Sequence, residues 1–173
     1  MRLVYVSGTP TRLFTRRLDQ PRASELPGTQ GAAHPFFSPD GQWVGFAVGR
    51  REVKKISVDG GAVVPLGDVS AILAGASWDE DGSIFVADAS GKGLLQLPAA
   101  GGTPRPVVAR SDVNLVQPQL LPGGKALLFC AGNPGTSLDA FTIEIVTLAD
   151  SRRKLLVRGG ATPRYLPSST GIG

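Results

Sequence analysis

A tight-turn tripeptide recurs along this chain at nearly constant spacing. Pro39-Asp40-Gly41 is followed 41 positions later by Glu80-Asp81-Gly82, after 42 more by Pro122-Gly123-Gly124, and after a further 45 by Pro167-Ser168-Ser169. The residues around it keep step. Phe37, Trp78, Leu120 and Tyr165 stand two places before the turn's first residue, and Pro35, Ala76, Pro118 and Pro163 stand four before it. Gly60-Gly61 and Gly101-Gly102 are likewise 41 apart. The turn chemistry is local: proline presets φ, aspartate bonds its own backbone, and glycine accepts a positive φ. A period of this length in a chain of 173 residues means one supersecondary unit copied along the polypeptide.

Each period holds four short β-prone segments. Strands are expected near 33–38, 43–48, 52–58 and 62–66, then 74–78, 83–88, 93–98 and 105–109, then 115–121, 125–131, 140–148 and 153–158. No stretch sustains apolar residues at helical spacing without a Pro or Gly. Four strands in about forty residues is the mark of a β-propeller blade. Val44–Val48, Ile84–Ala87 and Leu127–Ala131 are almost wholly apolar, which suits strands covered on both faces, and a blade so built must stack on its neighbours. Residues 3–26 supply three strands and residues 162–166 a first one. The expected fold is therefore all-β: a β-propeller of about four four-stranded antiparallel blades, three complete and one shared between the N- and C-terminal segments. The blades fall approximately at 1–30 with 160–173, 31–70, 71–112 and 113–159, in a single complete or partial propeller domain. Pairing of 162–166 with 3–7 would close the ring; alternatively two copies would join into a larger one.

Composition narrows the function. Hydrophobic residues make up 42% and charged residues 18% of the chain, a globular balance. The single cysteine, Cys130, rules out an internal disulfide and lies in an apolar run where a thiol packs as a small hydrophobe. No apolar run reaches the ~18 residues of a membrane helix. The net charge of +4 comes largely from Arg16-Arg17, Arg50-Arg51, Lys54-Lys55 and Arg152-Arg153-Lys154. Such doublets fit solvated outer strands and turns, where Lys and Arg also discourage edge pairing, so nucleic acid is not the favoured partner.

Nothing marks a catalytic constellation. The only histidine is His34, no Gly-x-Ser-x-Gly elbow exists, and the one cysteine lies in another repeat. One His and one Cys do not make a four-ligand zinc site. Asp79-Glu80-Asp81-Gly82 lacks a calcium ladder, and neither phosphate-binding glycine motif is present. No catalytic, cofactor-binding or metal residue is expected, and no cofactor. Propellers bind through the loops and channel of one face. First strands line that channel, so the rim residues to test are His34, Ser70, Asn114 and Gln117, and the partner is a protein or a small-molecule ligand.

Phe37-Ser38-Pro39-Asp40-Gly41-Gln42-Trp43, followed by Lys54-Lys55-Ile56-Ser57-Val58-Asp59-Gly60-Gly61-Ala62, resembles the Pro-Asp repeats of TolB-like β-propellers. With Gln117-Pro118-Gln119-Leu120-Leu121-Pro122-Gly123-Gly124-Lys125, the passage is similar to the C-terminal propeller of bacterial serine/threonine protein kinases. The likeness covers essentially residues 3–167. It implies a sensory or scaffolding interaction module of a larger bacterial protein, placed outside the cytoplasm. Such propellers usually have more blades than four, which implies a fragment. Two alternatives stay open: the gating propeller of a prolyl-oligopeptidase-type peptidase, and a periplasmic TolB-like interaction domain.

Overall fold

The computed structural model describes residues 1–69, 73–88, 93–108, 112–133 and 135–165, with side chains of 73 and 74 left aside. Among the described residues the chain is built of strands. They are β1 (Arg2–Ser7), β2 (Arg12–Arg17), β3 (Ser24–Glu25), β4 (Ala32–Phe37), β5 (Trp43–Val48), β6 (Glu52–Ser57), β7 (Val64–Asp68) and β8 (Leu73–Trp78). They continue as β9 (Ser83–Asp88), β10 (Gly93–Pro98), β11 (Arg105–Val108), β12 (Asn114–Leu120), β13 (Ala126–Gly132), β14 (Thr142–Thr147) and β15 (Arg153–Arg158). A single 3-10 turn, Leu138–Ala140, precedes β14, so that strand begins later than the sequence period implied. No described helix is long and apolar enough to cross a membrane.

The strands form four antiparallel sheets in which each strand pairs with its neighbours in the chain: β1-β2-β3, β4-β5-β6-β7, β8-β9-β10-β11 and β12-β13-β14-β15. This is the four-blade layout of a propeller. The first sheet has three strands, and β1 pairs with β2 alone among the described residues. Residues 162–165 carry no strand, so the expected pairing of this segment with 3–7 is not seen there; residue 166 lies outside the described residues. The physical reason is where the segment goes. It folds onto the fourth sheet, where Cys130 Sγ lies 3.6 Å from the Gly160 carbonyl and the Tyr165 amide donates to Gln119 Oε1 at 2.9 Å.

The recurring turn works as its residues dictate. Gly41 N–H donates to the Ser38 carbonyl at 2.9 Å, Ser38 Oγ to Asp40 Oδ1 at 2.5 Å, and Gln42 N–H to the same carboxylate oxygen at 3.0 Å. The Ser38 hydroxyl first, and then the Gln42 amide, hold the Asp40 carboxyl below its ordinary range. Gly82 N–H to Asp79 O and Gly124 N–H to Leu121 O repeat the bond at 3.1 Å in the next two sheets.

The core lies between sheets. In β5, Val44 and Phe46 join Leu13, Leu26 and Ile56 between the first two sheets, while Ala47 joins Leu66, Ile84, Val86 and Leu97 between the second and third. In β9, Ile84 and Val86 face one neighbour; Phe85 and Ala87 join Leu115, Leu127 and Phe129 on the other side. Alternate residues of one strand thus serve two interfaces. That is why these strands are apolar throughout rather than alternating.

Candidate functional site

The inner strands β4, β8 and β12 each break their ladder within one residue of the same place in the repeat. Register shifts fall between Ala33 and Phe36, between Leu73 and Ala76, and between Val116 and Gln119. At each break one residue has a left-handed backbone: His34 at φ 51°, Gly75 at φ 118° and Gln117 at φ 53°. Thr162 shares it at φ 55°. These four positions lie 41, 42 and 45 apart, the spacing of the turns themselves. The following residue is Pro35, Ala76, Pro118 or Pro163. A proline has no N–H to give the ladder, which accounts for two of the three bulges, those at His34-Pro35 and Gln117-Pro118. A left-handed conformation is uncommon for His, Gln and Thr and costs energy that the surroundings must hold in place.

The bulges converge on an open axial cleft of about 430 Å³, lined by His34, Phe36, Gly75, Gln117, Pro118 and Arg164 among others. Close approach of the inner strands makes the wall. A Cβ on Gly75 would sit 2.8 Å from Gln117 Cα, so the third and fourth sheets meet there through a residue without a side chain. Leu120 N–H donates to Ser77 Oγ at 3.2 Å across the same seam. Gln117 Oε1 is buried and has no hydrogen-bond partner among the described residues. The Arg164 guanidinium brings donors, the His34 imidazole a ring N–H, and Gln117 Oε1 an acceptor without a partner; no carboxylate is among the lining residues. Such a lining suits a ligand that presents acceptors together with a donor, such as a peptide backbone.

Of the residues singled out from the sequence, the structure brings His34 and Gln117 together in this cleft. His34 is the third residue of β4 rather than its start. Asn114 opens β12 opposite Gly132 and is not among the lining residues. Ser70 lies outside the described residues. Gly75 and Arg164 were missed. The signal for Gly75 was its place in the repeat, five before the turn like His34 and Gln117; Arg164 follows the equivalent Thr162-Pro163. Cys130 is buried in β13, and desolvation pushes its thiol above the ordinary range, away from the thiolate a nucleophile needs. Among the described residues no three His, Cys, Asp or Glu side chains gather as a metal site would need.

No protein-family model matches the sequence, and no curated protein matches it either. Solved structures do resemble the fold. TolB from Acinetobacter baumannii superposes with a TM-score of 0.72 at 16% identity, over 91% of this chain and 41% of that one. A protein described as TolB from Agrobacterium tumefaciens gives 0.76 at 12% identity, over 92% and 64%. A prolyl endopeptidase gives 0.65 at 16% identity, over 91% of this chain and 28% of the other, and a chain of a nidogen/laminin complex gives 0.63 at 15%, over 82% and 53%. The chain thus spans less than two thirds of each of these proteins. In architecture, it is a four-sheet β-propeller array, a fold it shares with these proteins over the aligned part.

Proposed function

We propose that this chain is a non-catalytic interaction module that holds an extended protein segment or a small acceptor-bearing ligand in the axial cleft. The observation that carries this reading is the convergence of the bulges at His34, Gly75 and Gln117 on one cleft with Arg164 at its side. Two of the three, His34 and Gln117, hold a left-handed backbone that is costly for a residue with a side chain, and strain held at matched positions supports a built site. On this reading the module serves a larger bacterial protein in a sensory or scaffolding role, such as a receptor-type kinase, outside the cytoplasm. The fold likeness to a prolyl endopeptidase supports a second reading, in which the propeller gates a catalytic domain supplied elsewhere. A second copy, joined through β1, would enlarge the ring in either case.

Selection from a random peptide display library tests the cleft. Selected peptides should lose at least tenfold in affinity on Arg164→Ala and on His34→Ala, and should bind Asn114→Ala as they bind the parent. Peptides that ignore the two cleft substitutions would remove the axial reading.

A further inference from the structure

A second groove, apart from the axial cleft, opens between the turns of the second and third sheets. It has a volume of about 370 Å³ and is lined by Trp43, Trp78, Pro39, Asp40, Asp79 and Glu80. Trp43 opens β5 and Trp78 ends β8, and these are the only tryptophans in the chain. Both are half-buried, so part of each indole remains open to the groove. Phe36 supports Trp78 from the side, with ring centroids 6.2 Å apart and planes tilted by 60°.

The indole pair already holds one cation. Lys55 Nζ lies 4.8 Å from the Trp43 ring centroid and 5.9 Å from that of Trp78, and donates to the Ala99 carbonyl at 2.7 Å. The two rings thus stabilise a positive charge, here that of Lys55, which is not among the groove's lining residues, and their remaining exposed surface borders the groove. Asp40, Asp79 and Glu80 line the opening with no basic residue among the lining, while Arg2 and Arg17 share a neighbouring cleft with Asp40. The lining of the groove is thus acidic in a chain whose net charge is +4. The Ser38 hydroxyl and then the Gln42 amide also hold the Asp40 carboxyl below its ordinary range.

We propose that this groove binds an arginine side chain of a partner peptide, with the guanidinium plane on the indoles and its N–H groups directed to the rim carboxylates. A planar guanidinium stacks on aromatic rings and gives up its hydration more readily than an ammonium, so arginine fits this lining better than lysine. A metal ion fits it less well: among the described residues the carboxylates do not gather as a ligand set. The rings also pack the second sheet on the third, and packing alone would predict no response to added ligand.

Tryptophan fluorescence reads this groove directly, since both emitters line it. Titration with acetyl-Gly-Arg-Gly-amide should give a saturable change that weakens as salt is added. The same peptide with Gln for Arg should give none. Glu80→Gln, at an exposed position, and the double variant Asp40→Asn/Asp79→Asn should each raise the apparent dissociation constant at least threefold. Far-ultraviolet circular dichroism confirms the fold of each variant. His34→Ala should leave the titration unchanged, which separates this groove from the axial cleft. An equal response to the Gln peptide, or Glu80→Gln binding as the parent does, would overturn the proposal.

Discussion

At Gly45 the absence of a side chain is a packing requirement. A Cβ there would lie 2.2 to 2.8 Å from the ring of Phe36 on the neighbouring strand β4. Gly45 lies opposite Phe36 in the ladder, and the ring lies across the glycine. This places Phe36 where it touches both Trp78 and the axial cleft. Gly45→Ala should therefore destabilise by about 1–3 kcal/mol, the usual range for an overfilled site. Shortening the ring should return part of that loss. In urea denaturation Gly45→Ala/Phe36→Leu should lie closer to the parent than the sum of the two single changes, because the residues share one contact. Strict additivity would mean that the ring is free to move aside, and the account of Phe36 as a fixed wall of the cleft would fail.

Among the elements, β5, β9 and β13 bear the greatest share of burial, because each is packed on by a sheet or by chain on either face. Phe46 in β5 is fully buried between the first and second sheets, whereas Leu156 in the outer strand β15 is 47% exposed. Phe46→Ala should cost about 3–5 kcal/mol, and Leu156→Ala less than about 0.5 kcal/mol, both read as shifts of the urea midpoint at constant m-value. Comparable losses at the two positions would mean that the sheets do not stack as described. The strands β5, β9 and β13 were legible from the sequence because two-sided burial leaves an unbroken apolar run, and Pro39-Asp40-Gly41 and its copies marked where they turn. The cleft was legible only in part. His34 and Gln117 could be named from the idea of a channel, but their left-handed backbone could not be read from residue type. Gly75 looked like any glycine until its place in the period put it beside Gln117. The direction taken by residues 162–165 depends on contacts with Gln119 and Cys130 about 30–46 positions away, which no local pattern encodes.

For the molecule as a whole, the open question is what meets the outer face of the first sheet. Val4 and Val6 pack toward the second sheet, while Leu3 and Tyr5 alternate with them on the other face and are 46% and 37% exposed. Tyr5 stacks on Phe14 at 5.6 Å, and on the same face Arg16 lies opposite Leu3 and Arg12, paired with Glu25, opposite Ser7. Within the described residues β1 has one strand partner, so an edge and an aromatic patch flanked by charge are presented together. Such a combination pairs with another sheet unless charge or proline blocks it. Meanwhile Thr162, before Pro163, shares the left-handed φ of His34 and Gln117 at the matching place in the repeat, although residues 161–165 carry no strand here. An inner-type segment of one copy can thus approach the β1 edge of another, a head-to-tail contact that closes into a ring if the rotation allows. Sedimentation velocity over a hundredfold range of concentration should show a reversible shift from one copy to two. Leu3→Lys/Tyr5→Lys places charge on the exposed face, leaves Val4 and Val6 in the core, and should hold the chain as a single copy throughout. A parent that sediments as one copy at every concentration would exclude self-association through β1, and Leu3 and Tyr5 would then be ordinary surface residues of the first sheet.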